Sequence, residues 1–572
     1  MEYSAIFHDM DKRFSYAVDK DLFVIRVQVK KDDMKEVILH YEDKYIPIER
    51  KDTRMTLPMK KVATSQFHDY YEAQLQMHLI CLRYFFEFTD MQGEKVYYGN
   101  YEFDKECITN RDRMFDCPQN LREEEMFEVP QWAANKVVYQ IFPSRFATTQ
   151  PVDKELWYKA PITPMDDLHG NLRGIIEHMD DIQNLGIDVL YMTPIFQSNS
   201  CHKYDTTDYY QIDPSFGTTE DLKELVQKAH ERGMKVVLDA VYNHTGREFF
   251  AFADILENGE KSKYRDWYFI DGFPLKSEWG EIPNFKCFGY YGGMPKLNLK
   301  NPEVEKYITD VACYWIKECD IDGWRLDVGD EISHFFWKNF RKAVKAVKKD
   351  MLIIGEIWHY AGDFLEGDEW DTVMNYPFYL NLIDLLADEK ITVSQFVQNL
   401  GYLKGRLHKN CYPLMWNLID SHDTARFLHL CNNNKKKQHL AAAFQLLLPG
   451  MPMIYYGDEY AMPGANDPDC RRGMYWDEEY QDKEMYEWYK RLIQVRKSHA
   501  CIVEGELAGS VTEDEEGTIV LIRKNGEETI AMIFNCSSSA KKFNEYTQKY
   551  NLLTENTFDG NVEGFDAAVI VL

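Results

Sequence analysis

The chain lacks the features that mark disulfide-stabilised, exported or membrane-spanning proteins. Its 12 cysteines are scattered, with no CxxC pair and no Cys/His cluster at zinc spacing, so we interpret them as reduced packing residues. No apolar run is long enough to cross a bilayer. The first residues show no basic stretch followed by an apolar core, so no secretory signal is expected. These features together predict a cytoplasmic protein.

Positive charge is also scarce. The sequence has 66 lysines and arginines against 94 acidic residues, which gives a formal net charge of −28. This balance argues against nucleic acid or an anionic membrane surface as the main partner. Apolar residues are plentiful, at 45% with 14% aromatic, and suffice for large cores. A length of 572 residues predicts several domains.

The patterning divides the chain into three predicted domains. Residues 1–122 alternate apolar and polar positions between polar turns, which predicts a β-sandwich, and the acidic stretch 121–132 predicts a linker. Residues 123–500 carry eight short apolar runs alternating with helical stretches, which indicates a (β/α)8 TIM barrel in the α/β class. The segment 243–303 is too long for a loop and predicts an inserted subdomain after strand three. Residues 501–572, with an Asn-Gly hairpin, predict a C-terminal β-sandwich.

The eight apolar runs indicate where functional side chains lie. They cover residues 136–143, 187–195, 234–243, 321–328, 350–358, 371–378, 413–423 and 451–459. The C-terminal ends of barrel strands form one rim, and polar residues at that rim are typical of catalysis. This rule selects the following side chains: Asp239, His244, Arg325, Asp327, Glu356, His422 and Asp423.

Three carboxylates converging on one rim favour glycoside hydrolysis. Any one of Asp327, Glu356 and Asp423 alone is better explained as a helix cap or a salt bridge, but structure alone has no reason to gather all three. Retaining hydrolysis uses a carboxylate nucleophile and a carboxylic acid. Arg325 is two residues before Asp327 and shares its strand face, so we expect it to lower the pKa of Asp327 and keep this nucleophile ionised. The apolar surroundings of Glu356, with Trp358 nearby, favour a protonated, proton-donating form.

Four motifs in order resemble the signature regions of the α-amylase family, glycoside hydrolase family 13. They are DAVYNH (239–244), GWRLDV (323–328), EIW (356–358) and LIDSHD (418–423). The resemblance covers essentially the whole chain. It implies that Asp327 is the nucleophile, Glu356 the general acid/base and Asp423 the transition-state stabiliser. It also implies that four further residues shape the sugar site at the cleaved bond: Asp239, His244, Arg325 and His422.

A finer resemblance is to the neopullulanase, cyclomaltodextrinase and maltogenic amylase group. The sequence MPKLN (294–298) is similar to the marker of that group, and residues 1–122 resemble its carbohydrate-binding module of family 34. Two further stretches, 202–218 and 464–472, also resemble the group. The substrate contacts implied by the resemblance are Tyr204 stacked beneath the sugar, Asp467 and Arg471 on the next glucose, Trp358, and Glu331 near the acceptor subsites.

The chain departs from the group at two places. It has Gly329-Asp330 where the group has Ala-Asn, and this changed neighbour of Glu331 bears on the balance between hydrolysis and sugar transfer. Group members often bind calcium, but Asn171 stands here where an acid is usual, and most of the first ligand cluster is missing. Calcium requires several oxygen ligands. We therefore expect no metal site and no cofactor.

The resemblance implies a retaining hydrolase of α-1,4 and some α-1,6 glucosidic bonds in cyclodextrins, maltooligosaccharides and pullulan, with transfer to sugar acceptors as a second outcome. It also implies a homodimer in which the N-terminal sandwich packs over the partner's active site. Three alternatives stay open: a metal site built from the same acids and histidines, a non-catalytic amylase-like glucan-binding protein, and an α-1,6-glucosidase-type relative.

Overall fold

A computed structural model describes residues 1–47, 54–76, 81–118, 126–276 and 282–572. The predicted domain boundary at 122 and the first part of the predicted linker, 121–125, lie outside these residues. The chain forms two compact units. The first comprises Met1–Val129, Tyr360–Asp371 and Ile391–Tyr412, and the second comprises Pro130–His359, Thr372–Lys390 and Pro413–Leu572. No helix in the described part of the chain is long and apolar enough to cross a membrane.

The first unit contains two antiparallel sheets facing one apolar core, as predicted for an N-terminal β-sandwich. One sheet consists, in spatial order, of Ser15–Ala17, Leu22–Lys30, His68–Gln76 and Lys60–Thr64. The other consists of Met55–Pro58, Met34–Asp43, Cys81–Asp90, Lys95–Gly99 and Glu102–Asp104, with Phe115–Pro118 paired to Cys81–Asp90. The alternating strand residues place their apolar members in the shared core.

A helix from the middle of the sequence, Val393–Arg406, also belongs to the first unit. Thr392 caps it in a capping box with Gln395. It approaches the strand Lys60–Thr64 closely because Gly401 has no side chain, and a Cβ there would overlap the carbonyl oxygen of Thr64. Sequence periodicity alone did not indicate this association, because the contact depends on the shape of the partner surface.

The second unit contains the predicted barrel. Eight parallel strands pair in a continuous series, and a further parallel bridge between Met374 and Trp416 closes the ring. The strands are Val138–Ile141, Val189–Met192, Lys235–Ala240, Gly323–Leu326, Leu352–Gly355, Thr372–Val373, Trp416–Asn417 and Met451–Tyr455. Each lies within one of the eight apolar runs, so the predicted fold class is confirmed. The strands are shorter than the runs because the last residues of each run form the rim loops.

Helices alternate with these strands. Thr219–Glu231 begins at Thr218, whose side chain forms a capping box with Asp221. Gly186, with φ of 101°, ends Met179–Leu185 in the left-handed conformation that favours glycine. The helices of this unit are Pro143–Phe146, Lys154–Trp157, Leu172–Glu177, Met179–Leu185, Thr219–Glu231, Phe250–Asn258, Pro302–Cys319, His334–Val347, Tyr376–Leu382, Phe427–Leu430, Lys435–Leu447, Lys483–Ser498 and Cys501–Glu504, with a π-helical turn at Ile383–Ala387.

Smaller elements complete the second unit. A hairpin of Phe196–Ser198 and Thr206–Ile212 follows the second barrel strand, and the segment after the third strand holds the helix Phe250–Asn258 with isolated bridges. The C-terminal strands are Glu506–Glu513, Thr518–Asn525, Glu528–Asn535, Lys541–Lys542, Tyr550–Asn551, Asn556–Thr557, Asn561–Val562 and Asp566–Val571. They form a six-stranded sheet and a two-stranded sheet. The predicted boundaries at 243, 303 and 500 stay predictions.

Candidate active site

One fully buried guanidinium lies at the centre of the barrel rim. Nη1 of Arg325 donates to both carboxylate oxygens of Asp239, each at 3.0 Å, and to Oδ1 of Asp327 at 2.9 Å. Nη2 of Arg325 lies 2.8 Å from Oε2 of Glu356 and 3.9 Å from Oδ2 of Asp423. Three barrel strands and the loop after the seventh therefore place four carboxylates around a single positive charge.

Strand geometry explains why these residues meet. Arg325 and Asp239 are direct partners on neighbouring parallel strands. Residues two apart on a strand face the same side, so Arg325 and Asp327 both point inward while Trp324 is buried on the other face. Val328 then turns the chain sharply with φ of 46°, a left-handed conformation that is strained for a β-branched residue. This turn aims the Val328 amide at Glu356, whose Oε2 accepts its hydrogen bond at 2.9 Å.

Glu356 has a third partner, Trp358. Nε1 of Trp358 donates to its Oε1 at 3.1 Å, and the indole stacks on Tyr376 with ring centroids 4.0 Å apart. Trp358 is also 42% exposed. It therefore presents an aromatic face to solvent while it orients the carboxyl group of Glu356.

Burial dominates the electrostatics of the carboxylate cluster, which consists of Arg325 and the carboxylates of Asp239, Asp327, Glu356 and Asp423. Desolvation raises the pKa of Asp327 well above its usual range, although Arg325 acts in the opposite direction, and the negative charges of Glu356 and Asp239 raise it further. Desolvation likewise raises the pKa of Asp239 to about 6. Arg325 does act to lower the pKa of Asp327, as expected, but the expected net lowering is wrong, because desolvation and the neighbouring carboxylates outweigh the guanidinium. Asp327 and Asp239 therefore hold their protons to higher pH than ordinary carboxyl groups do.

Tyr204, in the loop that follows the second barrel strand, contacts both Asp239 and His422. Its hydroxyl donates to Oδ2 of Asp239 at 3.0 Å and also contacts Nε2 of His422. The Tyr204 and His422 rings are nearly parallel, with centroids 5.5 Å apart. Burial lowers the pKa of His422 well below its ordinary value, so this ring is neutral.

Asp423 is the most exposed of the four carboxylates. Its Oδ1 lies 3.4 Å from Nη2 of Arg471, and its Oδ2 lies 3.2 Å from Nε2 of His422. Arg471 also donates Nε to the carbonyl oxygen of His422 at 2.7 Å and pairs through Nη1 with Asp467 at 2.9 Å. The side chain of Asp467 is 50% exposed. Arg471 thus links the Asp423 carboxylate to an outward-facing acid.

His244 contacts Tyr204, and Glu331 contacts Asn243, the residue before His244. His244 is buried, its Nε2 lies 3.1 Å from the carbonyl oxygen of Tyr204, and its ring stacks on Phe288 at 5.1 Å. Burial lowers the pKa of His244 to about 3, so it is neutral. Glu331 accepts a hydrogen bond from Asn243 at 3.1 Å and lies 3.3 Å from Nζ of Lys296.

The side chain of Asn171 makes hydrogen bonds within the chain. Oδ1 of Asn171 accepts the Gly174 amide hydrogen bond at 2.8 Å, so this side chain caps the helix Leu172–Glu177. Its amide nitrogen donates to the His169 carbonyl oxygen at 3.2 Å. Among the described residues, no group of three or more His, Cys, Asp or Glu side chains is placed to hold a metal ion.

The structure therefore brings the residues selected from the sequence to one rim. Sequence reasoning missed Tyr191, whose hydroxyl donates to Asp239 at 2.6 Å, and Gln140, whose amide lies 2.7 Å from Nδ1 of His422. Both are polar groups inside otherwise apolar barrel strands, which is the signal that could have identified them. Lys296, in the MPKLN stretch, contacts Asn243 as well as Glu331. This contact gives the marker sequence a structural role beside Glu331.

Comparisons with known proteins identify the family of this chain. The family model of the α-amylase catalytic domain matches residues 140–480, and that of the α-amylase N-terminal Ig-like domain matches residues 1–119. A cyclomaltodextrinase from Geobacillus thermopakistaniensis is 42% identical over 94% of this chain and 92% of its own length. An intracellular maltogenic amylase from Bacillus subtilis is 38% identical over 94% and 91%. A solved cyclomaltodextrinase structure superposes with a TM-score of 0.94 at 37% identity, covering all of both chains. The chain belongs to the α-amylase family.

Proposed function

We propose that this protein is a retaining α-glucan hydrolase that opens cyclodextrins and cleaves short maltooligosaccharides and pullulan. The observation that carries the proposal is the Arg325 guanidinium, which contacts Asp239, Asp327 and Glu356 at the barrel rim. Two carboxyl groups on one guanidinium lie close to each other, and retention requires a nucleophile and an acid only about 5 Å apart.

Asp327 acts as the nucleophile in the first step. Its carboxylate attacks the anomeric carbon while Glu356 protonates the departing glycosidic oxygen, and a covalent glycosyl-enzyme forms. Protonation of Glu356 also removes a negative charge beside Asp327. That neutralisation leaves the positive charge of Arg325 to Asp327 and Asp239, which favours the ionised nucleophile during catalysis.

Glu356 reverses its role in the second step. Its carboxylate accepts a proton from water, which attacks the anomeric carbon and releases Asp327. A sugar hydroxyl in place of water gives transfer instead of hydrolysis. Glu331 and Asp330 follow Asp327 in the chain, on the side from which either acceptor approaches, and are proposed to influence this choice.

The remaining rim residues bind the sugar. Asp423, 29% exposed and flanked by His422 and Arg471, is placed to accept hydrogen bonds from sugar hydroxyls as the oxocarbenium-like transition state develops. The Tyr204 ring offers an apolar face to the pyranose, and Asp467 with Arg471 offers polar contacts to the next glucose. Trp358, His244 and Asp239 complete the proposed contacts.

Three further properties are proposed by resemblance. The names of the relatives, cyclomaltodextrinase and maltogenic amylase, and the MPKLN stretch support short and cyclic α-glucans as substrates. The intracellular relative supports a cytoplasmic location. The family 34-like N-terminal domain supports a homodimer. The proposed chemistry uses side chains alone and needs no cofactor.

A product profile tests the activity. The purified protein is incubated with γ-cyclodextrin, pullulan, maltotriose and isomaltose, and products are resolved by chromatography. We expect fast ring opening and panose from pullulan, with the anomeric configuration retained by NMR. Attack on isomaltose alone would support an α-1,6-glucosidase, and binding without turnover would support a non-catalytic glucan-binding protein. Light scattering of the native protein tests the homodimer, which a monomeric mass would overturn.

A further inference from the structure

A second set of buried charges lies behind the His422–Asp423 end of the seventh strand. Asp420 follows that strand and Asp458 follows the eighth, and Arg426 lies between them; none is more than 1% exposed. We call these three residues the support cluster. The cluster lies outside the proposed mechanism, and its two acids face a single cation.

The support cluster is connected to Asp423 through one short segment. Arg426 donates Nη1 to Oδ1 of Asp458 at 3.0 Å and Nε to the Cys470 carbonyl oxygen at 3.1 Å. The next residue, Arg471, donates to the His422 carbonyl oxygen at 2.7 Å and approaches Asp423 at 3.4 Å. A displacement of Arg426 therefore shifts the backbone that carries Arg471, and with it the partner of the Asp423 carboxylate.

The two acids have an unusual hydrogen-bonding pattern. One oxygen of each is satisfied: Oδ2 of Asp420 accepts the Phe427 amide at 2.7 Å, and Oδ1 of Asp458 accepts Arg426. The other oxygens, Oδ1 of Asp420 and Oδ2 of Asp458, are buried and have no donor among the described residues. An ionised carboxylate can only accept, and a buried acceptor without a donor is costly.

A single proton between these two oxygens removes both deficits. Each carboxyl group lies within hydrogen-bonding reach of the other, and burial raises the pKa of Asp420 and of Asp458. With one proton shared, the support cluster holds one negative and one positive charge. Without it, an uncompensated negative charge would lie in the interior, where little water screens it.

We propose that Asp420 and Asp458 share one proton, and that this pair fixes Arg426 so that Arg426 and Asp458 act as positioning residues for Asp423. The inference rests on the proposed function, because it assigns the consequence of the support cluster to the transition-state role of Asp423. It adds a proton site and two positioning residues that the rim geometry alone does not reveal.

Infrared spectroscopy tests the shared proton without any assay of activity. The carboxylic acid C=O stretch of wild type is compared with that of Asp458→Asn at neutral pH. We expect the variant to lose one protonated-carboxyl band. Asp322→Asn is the matched control: Asp322 is equally buried, but His230 and Lys348 outweigh burial and lower its pKa, so no such band should disappear. An unchanged spectrum in Asp458→Asn would overturn the shared proton.

Kinetics on γ-cyclodextrin test the positioning role. Asp458→Ala removes the partner of Arg426, and we expect kcat to fall at least tenfold while KM changes less than threefold. Asp458→Asn should retain at least a third of kcat, because its amide can donate to Asp420 and its oxygen can accept from Arg426. In an Asp423→Asn background, Asp458→Ala should cause no further loss of kcat, since the target of positioning is already disabled.

The outcomes separate this inference from the proposed function. Equal losses of kcat from Asp458→Ala with and without Asp423→Asn would overturn the positioning role. Arg426→Lys serves as a second probe if Asp458→Ala unfolds below the assay temperature, and unchanged kcat in it would also overturn that role. Wild-type protein inactive on every glucan would overturn the proposed function, whereas the infrared result would still decide the shared proton.

Discussion

Asp239 and Arg325 are direct neighbours on two parallel barrel strands, and Nη1 of Arg325 lies 3.0 Å from both oxygens of Asp239. The same nitrogen donates to Asp327 two residues further along its own strand. Sheet pairing therefore places Asp239 beside the Arg325 guanidinium, and the two-residue repeat of the strand places Asp327 beside the same group. Arg325 is the residue on which the geometry of the proposed nucleophile depends.

Arg325→Lys should lower kcat/KM on γ-cyclodextrin by about 10²- to 10³-fold, because an ammonium cannot contact several carboxylates with the planar geometry of a guanidinium. The carboxylates left without a partner would also repel one another, so thermal stability should fall. Arg173→Lys is the matched control: Arg173 pairs with Asp221 on the surface and is 46% exposed. Near wild-type activity in Arg325→Lys would contradict the central role of the guanidinium.

Glu356→Gln should separate the two steps of the reaction. The variant cannot protonate a glycosidic oxygen, so turnover of maltotriose should fall by about 10³-fold or more. An α-maltosyl fluoride has a leaving group that needs little protonation, and it should still form the glycosyl-enzyme. Azide needs no general base, so added azide should accelerate turnover and give an α-glycosyl azide.

The configuration of that azide decides the assignment. Retained configuration, determined by NMR, would support a covalent intermediate on Asp327 with Glu356 as acid/base. A glycosyl azide of inverted configuration would instead indicate that azide attacks the substrate directly, without a covalent intermediate. Failure of azide to accelerate turnover, with fluoride hydrolysis at the wild-type rate, would show that Glu356 is not the acid/base.

Much of this site could be predicted from the sequence because strands impose simple rules. The two-residue repeat of a strand placed Arg325 and Asp327 on one face. The expectation that functional side chains lie at the C-terminal ends of barrel strands selected Glu356 and Asp423. The sequence could not predict that Tyr191 reaches Asp239, since that contact depends on the register between strands. It also could not predict that burial outweighs Arg325 in setting the pKa of Asp327, because desolvation depends on the whole surrounding structure.

Tyr204→Phe should show how much of the tyrosine's role is polar. The variant keeps the aromatic face but loses the hydroxyl that donates to Asp239 at 3.0 Å and contacts His422. We expect kcat to fall about tenfold, consistent with a lost hydrogen bond to a charged group, while KM changes little. Tyr204→Ala should raise KM as well, because it also removes the stacking face.

The control for this series is Tyr210→Phe on the same hairpin. Tyr210 packs its ring against the Tyr307 and Tyr314 rings, neither of which belongs to the carboxylate cluster. Its variant should match wild type in steady-state kinetics on maltotriose. If Tyr204→Phe and Tyr210→Phe both matched wild type, the proposed contribution of the Tyr204 hydroxyl would be wrong.

Glu459 should make stability fall as pH rises. Burial raises the pKa of this carboxyl from 4.5 to about 7, while hydrogen bonds from Tyr139 at 2.6 Å and the Gly457 amide at 2.9 Å oppose the shift. Between these two pKa values the folded state holds a proton that the unfolded state releases. The free energy of unfolding therefore decreases over that interval, by about 3 kcal/mol in total.

Glu459→Gln isolates this contribution, because glutamine reproduces the shape of the protonated acid without titrating. We expect the variant and wild type to have similar free energies of unfolding at pH 4.5, and the variant to be more stable by up to about 3 kcal/mol at pH 8. Urea unfolding followed by tryptophan fluorescence at a series of pH values measures the difference, in which the contributions of titrating groups that do not interact with Glu459, including His244, cancel. A difference that stays constant between pH 4.5 and 8 would show that folding does not raise the pKa of Glu459.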